Sequence, residues 1–489
     1  MVTRIFNFLF HNTSLRQTVI KNTFWLTAGQ ILNRAIRAII VIYAARVMGA
    51  SQFGILTYAI GFAGLFAVFN DLGLEPLIAR EIAKNVTPRE KILSAGLYLK
   101  GILVVVSYVA LLILGNKFSS IPESRILLPL LGFSIFLDTL KQLGMMILNG
   151  MERMEINTFI NILHNSATVL AGIIALIIAP TPFSLAVAYI IGSAVGFGAT
   201  FYYLRIMAWQ ALSSFDRSVA YGLIKDAVPF ILVSLVGIGL TNIDTVMIGW
   251  LSVPQDVGYY NAALKIVQLL FTLPAIISWA IFPVISKRAA DKTNSGGVLQ
   301  KSLNVMNMVG LPLAIGGILI APALIQLVYG AGYASASLSL QVLMLAVIFN
   351  YPATILNYAI IAHNAQAKLA PFLIVTAITN IVLNYLFILH WGFIGSAWAT
   401  VLAQLITTFG SYYLIHRFES ITVVRPILRV LGATGSMAVV IFLLQKITAS
   451  PFILIPAGGI VYLSLLLFLR EPLFLEILTT LKLKRPSVA

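Results

Sequence analysis

The chain has 489 residues, of which 60% are hydrophobic and 10% charged, where soluble domains carry about 25% charged residues. That composition excludes a soluble enzyme and places the chain in a membrane. The absence of cysteine excludes disulfides and thiolate chemistry.

Residues 1–22 read as a basic, amphipathic cytoplasmic segment lying at the membrane interface, with no cleavable signal peptide before the first span. Fourteen apolar stretches then follow, each near the ~20 residues needed to cross a bilayer. They fall at about 23–46, 54–76, 92–115, 125–149, 155–179, 183–205, 226–251, 257–284, 303–328, 337–362, 369–390, 393–416, 427–446 and 452–470. Several connections are only a few residues long, so twelve or thirteen spans are an alternative count. The expected fold is an all-α polytopic membrane protein with about 14 transmembrane helices. No stretch is large enough for a soluble domain.

The net charge of +16 follows the topology. With the N-terminus inside, 23 of the 32 Lys and Arg residues fall in inner connections and termini, and only Lys117, Arg125 and Lys446 fall outside. This bias places both termini in the cytoplasm and removes nucleic acid as a partner. Six cations fall within or at the ends of spans: Arg34, Arg37, Arg46, Lys100, Lys141 and Lys265.

Short matches in a constant order indicate a duplication. Asn161-Ile-Leu-His-Asn165 in span five corresponds to Asn380-Ile-Val-Leu-Asn384 in span eleven. Tyr202–Leu204 corresponds to Tyr412–Leu414, and Ser51–Gly54 to Gln255–Gly258. The implied organisation is two pseudo-symmetric six-helix lobes, 23–206 and 226–417. A cytoplasmic linker, 207–225, joins them. Helices 13 and 14 follow at 427–470, then a cytoplasmic tail at 471–489.

Arg34 and Arg37 sit midway along the first span. With Thr27 and Gln30 they form a polar stripe at spacings of three, four and three, one face of a helix. Each arginine at a bilayer centre costs about 2.5–3.5 kcal/mol on insertion scales. Such a face needs a wet cavity or partners, and guanidinium suits phosphate or carboxylate. Gln30, Lys100, Lys141 and Lys265 are candidates to extend this anion-binding lining. Asp138, three residues before Lys141, is also its default local partner. Asp244 lies on the stripe of span seven (Ser234, Gly237, Thr241, Asp244) that corresponds to the first span's stripe. Asp244, Asp138 and His164 are candidates for counter-ions or for H+ or Na+ coupling, His164 also for a hydrogen-bonded core residue. Asp71, Glu75 and Arg80 are read as a cytoplasmic gate or ion network. No metal-ligand spacing or phosphate-binding loop is present and the outer loops hold no paired catalytic carboxylates, so a non-enzymatic secondary transporter without ATPase motif or cofactor is expected.

The run Ala45–Gly49, Gln52-Phe-Gly54, Tyr58, Asp71-Leu-Gly-Leu74 and Arg80–Ala83 resembles the opening of Wzx-type polysaccharide flippases of the multidrug/oligosaccharidyl-lipid/polysaccharide exporter superfamily. Leu148–Arg153, Asp244–Gly249 and Gly258–Ala262 resemble later segments of that family. The resemblance implies two lobes around a cavity with alternating access. It also implies an undecaprenyl-diphosphate-linked oligosaccharide as passenger, and monomers in a bacterial or archaeal cytoplasmic membrane. Polysaccharide polymerase and chain-length regulator proteins are its expected partners, beside membrane lipid. In related lipid II flippases, first-helix arginines serve the diphosphate and two extra C-terminal helices line a lipid groove. Arg34, Arg37 and helices 13–14 match by position. The expected function is flipping of such a lipid-linked oligosaccharide. The alternatives are a cation-coupled multidrug antiporter, disfavoured by the basic stripe, and a membrane-embedded lipid-sugar polymerase or ligase, disfavoured by the short outer loops.

Overall fold

The computed structural model describes residues 15–84, 87–291, 296–419, 421 and 424–483. Lys292, Lys484, Arg485 and the first fourteen residues of the expected interfacial segment lie outside them, as does the side chain of Ser234. The described elements are helical, and among the described residues twelve helices are long and apolar enough to cross a membrane.

The first unit reaches to Gly258. Helix α1 (Leu15–Ala67) has 53 residues, about 80 Å at 1.5 Å per residue, far more than a ~30 Å hydrocarbon layer. It turns at Gly49, at φ 75°, so this one element contains the first two expected spans. Residues 15–22 belong to it, with Lys21 buried against Glu155 at 3.0 Å.

Span two was expected to run to 76, but the helix ends at Ala67 and a single 3-10 turn follows. Leu72 and Gly73 adopt positive φ, 44° and 82°, which no helix continues through. Helix α2 (Leu74–Lys84) then starts afresh. Asp71 caps it, accepting from the Glu75 backbone N–H at 3.0 Å and from that of Gly73 at 3.2 Å. Its apolar face, Leu74, Leu77, Ile78 and Ile82, packs into a buried cluster with Ile92, Leu93, Leu143 and Leu223.

The unit continues with α3 (Arg89–Phe118), α4 (Leu127–Gly150), α5 (Met154–Ile178), α6 (Pro182–Leu212) and α7 (Arg217–Leu251). The expected nineteen-residue linker shrinks to residues 213–216. Helix α1 packs on α5 through a seam in which Gly29 meets Thr158, Asn33 meets Asn165 and Ile40 meets Gly172. After Gly49, α1 lies against the end of α7 and the start of the following helix. An added Cβ on Gly54 would stand 1.8 Å from the Pro254 carbonyl oxygen, and one on Gly258 would stand 2.0 Å from that of Ala50. Only glycine allows these backbones so close. Ser120 links Tyr58 and the Gly249 carbonyl there.

The second unit begins at Tyr259. Helices α8 (Pro254–Leu270) and α9 (Thr272–Ala290) divide the eighth span at Phe271. Pro274 in the first turn of α9 lacks the N–H that would bridge such a break. Then come α10 (Gly296–Tyr329), α11 (Ala336–Ala362), α12 (Gln366–Trp391) and α13 (Phe393–Ile415). Helices α14 (Val424–Leu444) and α15 (Pro451–Phe468) pack on α10. There Met308, Leu311 and Ile320 meet Met437, Ile441 and Leu466, and the Tyr462 hydroxyl donates to the Met308 carbonyl at 2.6 Å. Part of the expected tail is helical. In α16 (Pro472–Leu483), Glu471 accepts from the Phe474 N–H and Glu476 pairs with Lys301 at 2.7 Å. The two asparagine marks behave alike, Asn165 donating to the Asn161 carbonyl at 2.8 Å and Asn384 to that of Asn380 at 2.9 Å.

Candidate functional site: a cationic face and a polar cluster on helices α1, α4, α5 and α6

On α1 the stripe of Thr27, Gln30, Arg34 and Arg37 lies roughly 100° round the helix from the seam that packs on α5, at 100° per residue. Leu32 and Ile39, both exposed, lie on the opposite flank. The helix therefore has three faces: a tight seam, an apolar flank suited to lipid, and a basic flank. Thr27 and Gln30 are half-buried, while Arg34 and Arg37 are exposed.

Arg37 borders a polar cluster. With His164, Asn165 and Thr168 of α5 and Tyr189 of α6 it lines a recess of about 20 Å³, room for about one water molecule. On α4, Lys141 is buried and pairs with Asp138 at 3.0 Å, and His164 Nδ1 lies 3.7 Å from the same Asp138 oxygen. Gly196 of α6 makes room for this, since its missing Cβ would touch both Lys141 and His164. Arg37, Lys141 and Asp138 leave one positive charge in excess before His164 is counted, at a depth where charge is costly. Such a site attracts an anion.

The other sequence candidates divide. Lys100 was placed with the arginines, but it is fully enclosed, 0% exposed, and bridges Asp71 at 3.0 Å and Glu75 at 2.8 Å. Two carboxylates at that distance hold it at the start of α2. Arg80 was grouped with those two carboxylates; it instead pairs with Asp226 of α7 at 2.7 Å and with Glu81. Asp244 is buried on α7 beside Thr245, which packs against Gly61 of α1. Lys265 lies in the second unit, donating to Gln268 at 3.2 Å.

Several ties at the basic end escaped sequence reasoning. Lys21 meets Glu155 across 134 residues, Lys91 meets Asp216 at 2.8 Å, and Arg80 meets Asp226 across 146 residues. Lys91 and the Ser218 hydroxyl and N–H, all bonded to the Asp216 carboxylate at the start of α7, hold its pKa far below the usual range. Lys84, and then Arg80, likewise lower that of Glu81. The available signal was acids among bases: Asp216 and Asp226 are carboxylates in a connection otherwise marked by Arg205, Arg217 and Lys225.

The chain is similar to a probable low-salt glycan biosynthesis flippase, Agl15, of Haloferax volcanii, with 21% identity over 78% of this chain and 80% of the relative. It is similar to a candidate O-antigen transporter of Shigella flexneri, with 27% identity over 78% of this chain and 93% of the relative. Its fold matches that of the lipid II flippase MurJ in an inward closed conformation. The TM-score is 0.76 at 20% identity, over 91% of this chain and 98% of that one. The family model described as polysaccharide biosynthesis protein matches residues 19–289, more than half of the sequence, and the chain belongs to that family.

Proposed function

We propose that this protein is a flippase that carries an anionic, undecaprenyl-diphosphate-linked oligosaccharide from the cytoplasmic to the outer leaflet of a cytoplasmic membrane. The observation that carries this reading is the exposed Arg34–Arg37 flank of α1 with the net-positive Arg37–Lys141–Asp138–His164 cluster beside it. Guanidinium groups remain charged when partly desolvated and bind phosphate oxygens in a fork. Similarity to glycan flippases gives the class of passenger. Both termini are cytoplasmic by the distribution of basic residues. Alternating access between two lobes moves the headgroup, and Asp138, His164 and Asp244 are the groups offered for H+ or Na+ coupling. The protein acts as a monomer that delivers its product to a polymerase and its chain-length regulator.

The test is the double variant Arg34→Ala/Arg37→Ala, expressed in place of the wild type. Surface polysaccharide should be lost while the protein inserts and accumulates normally. Unchanged polysaccharide in that strain removes the arginines from the mechanism.

A further inference from the structure

The second unit carries a different kind of polar surface, and it is neutral. On α11, Asn350, Thr354, Asn357 and Tyr358 recur at spacings of four, three and one, which sets them along one side of an otherwise apolar helix. All four are half-buried, so protein does not seal this side. Thr354 donates to the Asn350 carbonyl at 2.8 Å, and the Asn357 amide oxygen accepts from Ser411 of α13 at 2.6 Å. The side-chain amide oxygen of Asn350 is buried and has no hydrogen-bond partner. Beside the stripe stands an aromatic group. Trp279 of α9, 36% exposed, donates its indole N–H to the Tyr358 hydroxyl. Phe282 meets the Tyr358 ring edge-on at 5.8 Å.

We infer that Trp279, Tyr358 and the Asn350–Thr354–Asn357 stripe form a carbohydrate subsite that receives an uncharged sugar ring of the lipid-linked glycan. The inference rests on the flippase reading and assigns the glycan to the second unit and the anionic group to the first. A sugar presents an apolar C–H face and a rim of hydroxyls. Indole and phenol rings stack on the former, and amide and hydroxyl groups exchange hydrogen bonds with the latter. A charged headgroup would find no counter-charge on this stripe. A lipid tail would offer the accessible amide and hydroxyl groups of the stripe no hydrogen bonds.

The test measures binding to the full-length protein in nanodiscs by microscale thermophoresis. The probes are undecaprenyl diphosphate and the same lipid bearing one N-acetylhexosamine. Trp279→Leu, which keeps an apolar side chain without a ring, and Tyr358→Leu should weaken binding of the glycosylated lipid by about tenfold, the scale of one aromatic stacking contact. Their affinity for the bare lipid should stay within about twofold, since no charge is touched. Trp279→Phe, which keeps a ring, should retain most of the affinity. Equal effects on both lipids mean that the rings only anchor the helices at the membrane surface, and overturn the subsite. Wild-type binding of the glycosylated lipid no tighter than the bare one overturns it too, while leaving the flippase reading intact. Binding of neither lipid by the wild type overturns both.

Discussion

Lys100 differs from Arg34 and Arg37 in being enclosed and paired with two carboxylates. Its amine is enclosed and held by Asp71 at 3.0 Å and Glu75 at 2.8 Å, so Lys100→Met removes the charge at nearly constant volume and leaves two carboxylates facing each other. Breaking a buried ion pair from one side costs about 3–5 kcal/mol. Here the carboxylates keep 22% and 24% of their exposure, and water compensates part of the loss, so about 2–3 kcal/mol is expected. For a unit of this size that lowers the melting temperature by about 5–10 °C. Adding Glu75→Gln should return about 1 kcal/mol of it by relieving the repulsion. Asp71 must stay, because it also caps α2. The assay is thermal unfolding of purified variants, in parallel with lipid binding. Lys100→Met that melts with the wild type yet loses affinity for a diphosphate lipid would refute this reasoning and return Lys100 to the anion-binding surface.

Gly54→Ala should be among the most damaging single-methyl changes, because its Cβ would meet the Pro254 carbonyl oxygen at 1.8 Å. Backbone cannot rotate away, so a loss of at least about 1–3 kcal/mol is expected, read as loss of the monodisperse peak in detergent; a normal peak contradicts the packing. Asp216→Asn tests the tie between Lys91 and the start of α7. The folded pKa of Asp216 lies below the unfolded value of about 3.9, held there first by Lys91 and then by Ser218. Its contribution is therefore present above the unfolded pKa and lost as pH falls through the folded one. The stability gap between wild type and Asp216→Asn should be full at pH 7 and shrink below about pH 4.5; a gap constant from pH 7 to pH 3 excludes the ion pair.

How far the sequence could be read depended on the range of each interaction. Spans follow from composition within about twenty residues, and the stripe of Arg34 and Arg37 follows from helical period, so both were legible. The Asp71-Leu-Gly-Leu motif was legible as a family mark, but its work was not: Leu72 and Gly73 at positive φ end one helix, and Asp71 starts the next. Periodicity gives a residue's face and not its neighbour. Lys100 looked like its fellow intramembrane cations because its partners lie 29 and 25 residues earlier on another element. For the same reason the meeting of Gly54 with Pro254 and of Gly258 with Ala50 was invisible, although Gly54 and Gly258 both lie in motifs that resembled the family. Helix α16 was read as tail because a twelve-residue helix is too short to register as a span.

In the proposed function the α1 arginines carry the anionic group of a lipid-linked glycan across the bilayer. The most direct measurement is movement of a labelled undecaprenyl-diphosphate oligosaccharide between the leaflets of proteoliposomes, with wild type and Arg34→Ala/Arg37→Ala compared at equal reconstitution. Rapid equilibration is expected with wild type and the protein-free rate with the double variant. Equal rates for the two proteins, or no movement with wild type, would contradict it.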